Sequence, residues 1–158
     1  MNGLRRRVWL LLVVADAGIL LWGAMAMLVP GHLLGPNGTP ILAAGYEGFS
    51  GGAWPELGPE ARDFMEVLFR VYGAYNVAFG LLAIAIAATA FRRGERWAWL
   101  ALLVGNTIAF GSAMTYDWTV NAIGPFELSE YLGLAAIYFA LAVNMPFLTT
   151  TGQRGRPS

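Results

Sequence analysis

Long apolar runs broken by short polar punctuation fill this chain, and four of the runs, 8–29, 64–91, 97–116 and 126–148, have membrane-crossing length. A helix rises 1.5 Å per residue, so about 20 apolar residues cross about 30 Å of hydrocarbon. The ends carry helix punctuation: Pro30-Gly31 after the first run, Pro59 and Pro125 ahead of the second and fourth, and Arg92-Arg93-Gly94 between the second and third. The expected fold is all-α: a single integral membrane domain, a four-transmembrane-helix bundle with a long loop at 30–63 and a tail at 149–158. An alternative for the first run is a secretory signal, because Arg5 to Arg7 precede it and Ala24-Met25-Ala26 resembles a cleavage site. The length of the run and the aspartate near its middle favour a retained helix.

The loop at 30–63 is rich in Gly and Pro, yet it contains Ile41, Leu42, Tyr46, Phe49 and Trp54. Loops of this length are uncommon in compact domains unless functional or disordered. The aromatics favour a cap lying on the bundle, the glycines a mobile segment, and both readings stay open here.

Charge gives the bundle a direction. Arg5, Arg6, Arg7, Arg92, Arg93, Arg96, Arg154 and Arg156 fall on one side of a chain that crosses four times. The positive-inside rule then makes both termini cytoplasmic (N-in/C-in) and the 30–63 loop extracytoplasmic, with the bacterial inner membrane as the expected location. Glu47, Glu56, Glu60, Asp63 and Asp117 fall outside. Trp9, Trp97 and Trp99 near one boundary, and Tyr116 and Trp118 near the other, match interfacial aromatics.

Composition agrees. Of the 158 residues, 57% are hydrophobic and 13% charged, and lysine is absent, whereas soluble domains carry about 25% charge. The absence of cysteine excludes disulfides, thiolate nucleophiles and cysteine-held metals. A net charge of zero with one arginine triplet offers no extended surface for nucleic acid. There is no Walker loop, dinucleotide fingerprint, nucleophile elbow or paired-histidine motif, so no catalytic residue is assigned. His32, the one histidine, reads as an interfacial loop residue, and no metal site is expected.

Polar groups inside spans are costly and therefore informative. By the rise per residue, Asp16, Asn76, Asn106 and Tyr138 lie at similar depth, one per helix, as an intramembrane polar layer. They read either as interhelical hydrogen-bond glue, the preferred choice, or as a small polar site. Nearer the outside, Arg70 requires an anion, and a pair with Glu130 is expected, with Glu66 or Glu127 in support. This cluster is either a structural clasp between the second and fourth helices or a ligand site, with Tyr116 and Tyr131 lining its apolar part. Glu66, Arg70, Gly73, Asn76 and Gly80 share one face of the second helix, and Glu127, Glu130, Tyr131, Leu134 and Tyr138 one stripe of the fourth. These two faces are expected to meet, with Gly73 and Gly80 permitting close approach.

The four-span plan, Arg70-Val71-Tyr72-Gly73 with Gly80, and Glu130-Tyr131-Leu132-Gly133-Leu134 together resemble the DoxX-like four-helix membrane families over most of the hydrophobic chain. The long glycine-rich loop departs from a compact member of that group. The resemblance implies a small bundle associated with quinone-linked or redox membrane assemblies, and transfers no catalytic residue.

The leading expectation is a noncatalytic accessory or interaction subunit in the lipid bilayer, packing against other membrane proteins or itself. The alternatives are a binding protein or redox-linked enzyme subunit holding a lipophilic molecule, such as a quinone or lipid, near Arg70 and Glu130, and a small oligomeric transporter. No cofactor is assigned.

Overall fold

The computed structural model describes residues 7–35, 38–120 and 125–151, with side chains in the last segment from 128 to 145. Five α-helices run through them: α1 Trp9–Leu28, α2 Ile41–Ser50, α3 Pro59–Ile86, α4 Arg96–Thr119 and α5 Pro125–Thr151. A wide π turn, Ala87–Phe91, prolongs α3. No sheet forms among the described residues. Leu34 and Pro40 make an isolated bridge within the loop.

Four of the helices, α1, α3 with its π turn, α4 and α5, are long and apolar enough to cross a bilayer. Val14, Leu82, Ile108 and Leu132 stay exposed on their outer faces, as expected where the surrounding solvent is as apolar as the side chains. The chain is therefore an integral membrane protein with four spans, as the hydropathy pattern predicts. The helices overrun the predicted boundaries: α3 starts at Pro59, whose missing N–H costs nothing in a first turn, and α4 runs on to Thr119.

The dominant contact is between α1 and α3, and glycine makes it possible. A β-carbon on Gly73 would lie 2.5 Å from the Met27 nitrogen and 2.6 Å from the Gly23 carbonyl oxygen; one on Gly23 would lie 2.7 Å from the Gly73 oxygen. One on Gly80 would meet the Leu20 nitrogen at 3.0 Å and the Asp16 carbonyl oxygen at 3.1 Å. The two backbones thus touch from Asp16 to Met27, the approach that small residues permit in lipid. This corrects the expected meeting of the second and fourth spans: the Gly73–Gly80 face packs on α1, and α5 packs on α1 and α4. Spacing alone shows that a close neighbour exists without saying which helix it is.

Packing is uneven along the bundle. At the end bearing Arg92 and Arg93, Leu12, Ala83, Ala87, Phe91, Ala98, Leu102, Ile137 and Leu141 form a tight apolar core. The turn there is held by Glu95, which accepts from Arg93 Nε at 2.7 Å and from Trp97 Nε1 at 2.5 Å. The Arg93 guanidinium, and then the Trp97 indole, hold the Glu95 carboxyl below the usual carboxylate range. Arg92 lies over the Trp9 ring, 5.3 Å from its centre. The terminal arginines at 5, 6, 154 and 156 lie outside the described residues.

At the other end the long loop is a docked cap. Its ordered elements are a 3₁₀ turn at Pro30–His32, helix α2 and a second 3₁₀ turn at Trp54–Glu56. Leu42, Ala43 and Gly45 of α2 are buried. Gly45 rests against the Tyr116 hydroxyl, and Gly48 against the Val120 carbonyl. Glu47 Oε1 accepts from the Trp54 backbone N–H at 2.9 Å, and Tyr46 meets Trp54 edge to face. The aromatic content of the loop, rather than its glycine content, indicated its state.

A capped cavity in the open half of the bundle

Above the tight core, two contiguous hollows lie between α1, α3, α4 and α5. The first, of about 260 Å³, is walled by Gly18, Ile19, Trp22, Tyr72, Asn76, Phe110, Ala113 and Glu130, among others. The second, of about 360 Å³, is walled by Trp22, Ile41, Phe69, Tyr72, Ser112, Ala113, Tyr116, Asp117 and Glu130. They share Trp22, Tyr72, Ala113 and Glu130, so they adjoin, the second lying toward the capped end. Ile41, at the start of α2, brings the cap into its wall.

The space is mostly apolar, with a few convergent polar groups, the usual make-up of a small-molecule site. Trp22 and Phe69 meet edge to face at 6.2 Å, and Phe69 stacks on Tyr72 at 5.7 Å, giving one continuous aromatic wall across α1 and α3. The Tyr72 hydroxyl is engaged by the Asn76 and Trp22 side chains and feels the nearby Glu130 and Asp117 carboxyls. Four helices therefore supply a single polar cluster at the edge of an apolar hollow.

Several predicted site residues lie in this wall and several do not. Tyr116, Glu130 and Asn76 line it. Arg70 does not: its Nη1 donates to the Met27 and Leu28 carbonyl oxygens at 2.9 and 3.3 Å, and its Nη2 lies 3.9 Å from Glu66. It satisfies the last carbonyls of α1, which have no partner within the helix. The predicted Glu66–Arg70 contact is present, whereas an Arg70–Glu130 pair is not among the ion pairs of the described residues. The clasp ties α3 to the end of α1, not to the fourth span. The Glu127 side chain lies outside the described part. Tyr131 accepts from Trp118 Nε1 at 2.8 Å and is not among the cavity residues.

The polar layer divides as well. Asp16 and Asn106 are fully buried between α1 and α4, at the level where the tight core gives way to the cavity. Asn106 Nδ2 donates to the Leu102 carbonyl at 3.0 Å, and no hydrogen bond links Asn106 to the buried Asp16 oxygens among the described residues. Tyr138 instead pairs with Thr107 at 2.9 Å across α4 and α5. Asn76 donates to the Tyr72 carbonyl at 2.9 Å.

The residues that sequence reasoning left out are Trp22 and Phe69, along with the role of Tyr72. Phe69, Tyr72 and Asn76 stand at i, i+3 and i+7 beside the Gly73 face, so the helical period held a signal that the charged residues masked. Asp117, expected outside the spans, is buried in the last turn of α4.

A direct prediction concerns Arg70. Arg70→Ala is expected to lower stability in detergent by about 1–3 kcal/mol, the range for hydrogen bonds to a charged donor, and Arg70→Lys to restore part of it. The swap of Arg70→Glu with Glu130→Arg is expected to recover none of the loss, since Arg70 is held by the end of α1 and by Glu66. Thermal unfolding of the three variants checks this, and recovery by the swap would restore the original pairing.

Comparison with profiles of known families, with curated proteins and with solved structures finds no match to this chain.

Proposed function

We propose that the protein is a membrane-embedded binding module that holds a lipophilic small molecule in the capped cavity. The observation carrying this reading is the joined hollow of about 260 and 360 Å³, walled by aromatic rings and edged by one polar cluster. The contrast with the close-packed half below supports it. A bundle stabilised only by packing has no need of a roof over an empty half.

The proposed orientation places both termini and the Arg92–Arg96 turn in the cytoplasm and the cap outside, following the arginine distribution. The proposed membrane is a bacterial cytoplasmic one. The accessory-subunit reading drew on short loops, small-residue faces and the absence of a catalytic constellation; of those faces, Gly73 and Gly80 pack on α1 within the bundle. The DoxX-like resemblance remains part of the proposal through what it implies, a quinone or similar molecule as one candidate ligand.

Native mass spectrometry of gently extracted protein is expected to show one small lipophilic molecule per chain. Gly18 lines the cavity with nothing within 4 Å of a built β-carbon, so Gly18→Leu starts from open space and extends into the hollow. Gly18→Leu and Ala113→Leu are expected to weaken retention by at least about tenfold while melting like the parent. A parent protein that carries no such molecule and takes up no lipophilic probe saturably would end the proposal.

A further inference from the structure

We infer that the molecule this cavity takes is a lipophilic organic cation, an amine or onium head on an apolar body. This inference rests on the binding reading above and narrows its ligand class. Three features of the wall converge on it. Glu130 from α5 and Asp117 from α4 open into the same hollow, and both act on the same Tyr72 hydroxyl, so their fields overlap inside one small volume. Trp22, Phe69, Tyr72 and Tyr116 line the same hollow, and the faces of such rings carry the negative end of a quadrupole that attracts a positive head. No arginine or histidine is among the described residues lining either hollow. Arg70, a cation borne by α3, is held by the Met27 and Leu28 carbonyls and by Glu66.

Carboxyl and ring contributions therefore have the same sign, and they act in surroundings of low dielectric where electrostatic selection is strong. An anionic ligand needs a cation, and none lines either hollow among the described residues; this wall is better matched to the opposite charge. The apolar body of the ligand would lie along Ile19, Phe110 and Ala113.

The test uses the full chain in nanodiscs of zwitterionic lipid and three probes of similar shape: tetraphenylphosphonium, tetraphenylborate and tetraphenylmethane. The phosphonium is expected to bind saturably at one per chain. The borate and the neutral compound are expected to show only the partitioning seen with empty discs. Glu130→Gln and Asp117→Asn, which preserve volume, are each expected to weaken phosphonium binding about tenfold, and together about a hundredfold. Equal saturable binding of the borate or the neutral probe, or unchanged phosphonium affinity in both amide variants, overturns the cation inference and leaves a lipophilic site without charge selection. Absence of saturable binding for all three overturns the binding reading itself. The comparison of charges on the unmodified protein decides the matter even where a variant does not fold.

Discussion

Gly73→Val is expected to eliminate the folded protein. The new β-carbon would stand 2.5 Å from the Met27 nitrogen, 2.6 Å from the Gly23 oxygen and 2.9 Å from the Ala26 carbonyl carbon. All three are backbone atoms of α1, which cannot rotate away as a side-chain tip can. Relief requires the two helices to separate, and that separation breaks the seam continuing through Gly80 to Asp16. Overpacking of a well-packed site costs about 1–3 kcal/mol, and a helix pair locked backbone to backbone belongs at or above the upper end. Fluorescence-detected size exclusion and thermal unfolding read the outcome. Gly18→Ala is the control: it lies on α1 in open space, so it is expected to be neutral or to stabilise by up to about 1 kcal/mol through helix propensity. A Gly73→Val protein that melts with the control would mean that α1 and α3 do not approach as described.

The second large effect is local. Gly48→Val places a side chain into the Val120 carbonyl, again backbone, at the joint between cap helix α2 and the end of α4. Here the spans need not move, because the cap can lift instead. Hydrogen exchange across α2 is expected to rise about a hundredfold, equivalent to about 3 kcal/mol of local stability, while exchange in α1 and α3 stays as in the parent. The lifted cap takes Ile41 from the cavity wall, so retention of the bound molecule is expected to fall with it. Unchanged α2 protection would show that the cap is held elsewhere, with the Glu47–Trp54 contact as the first place to look.

Both effects turn on glycines whose importance the sequence indicated unevenly. Gly73 and Gly80 stand a helical period apart on one face, so a close neighbour was legible. Gly48 sits among the other glycines of the loop, where nothing separates the one under a carbonyl from those in open space, such as Gly51. The cap itself was legible only as a choice, since the same segment holds aromatics that bury and glycines that loosen. Asp16 and Asn106 were brought to one level by the rise per residue, and they do face one another. Tyr138 had the right depth but the wrong face, because an estimate of depth contains no azimuth.

The spans, their number, the all-helical class and the gathering of Arg92, Arg93 and Arg96 at one turn were determined by the sequence alone. Each of these follows from a one-dimensional quantity: a length of apolar chain, or a charge at a position along it. Helix partnership was decided only in three dimensions. The glycine face of α3 went to α1, which left Arg70 at the α1 terminus and left Tyr72, Glu130 and Asp117 around a hollow. A helix presents every face to some neighbour, and which neighbour it meets depends on the shapes of all four at once; no period along a single chain carries that information.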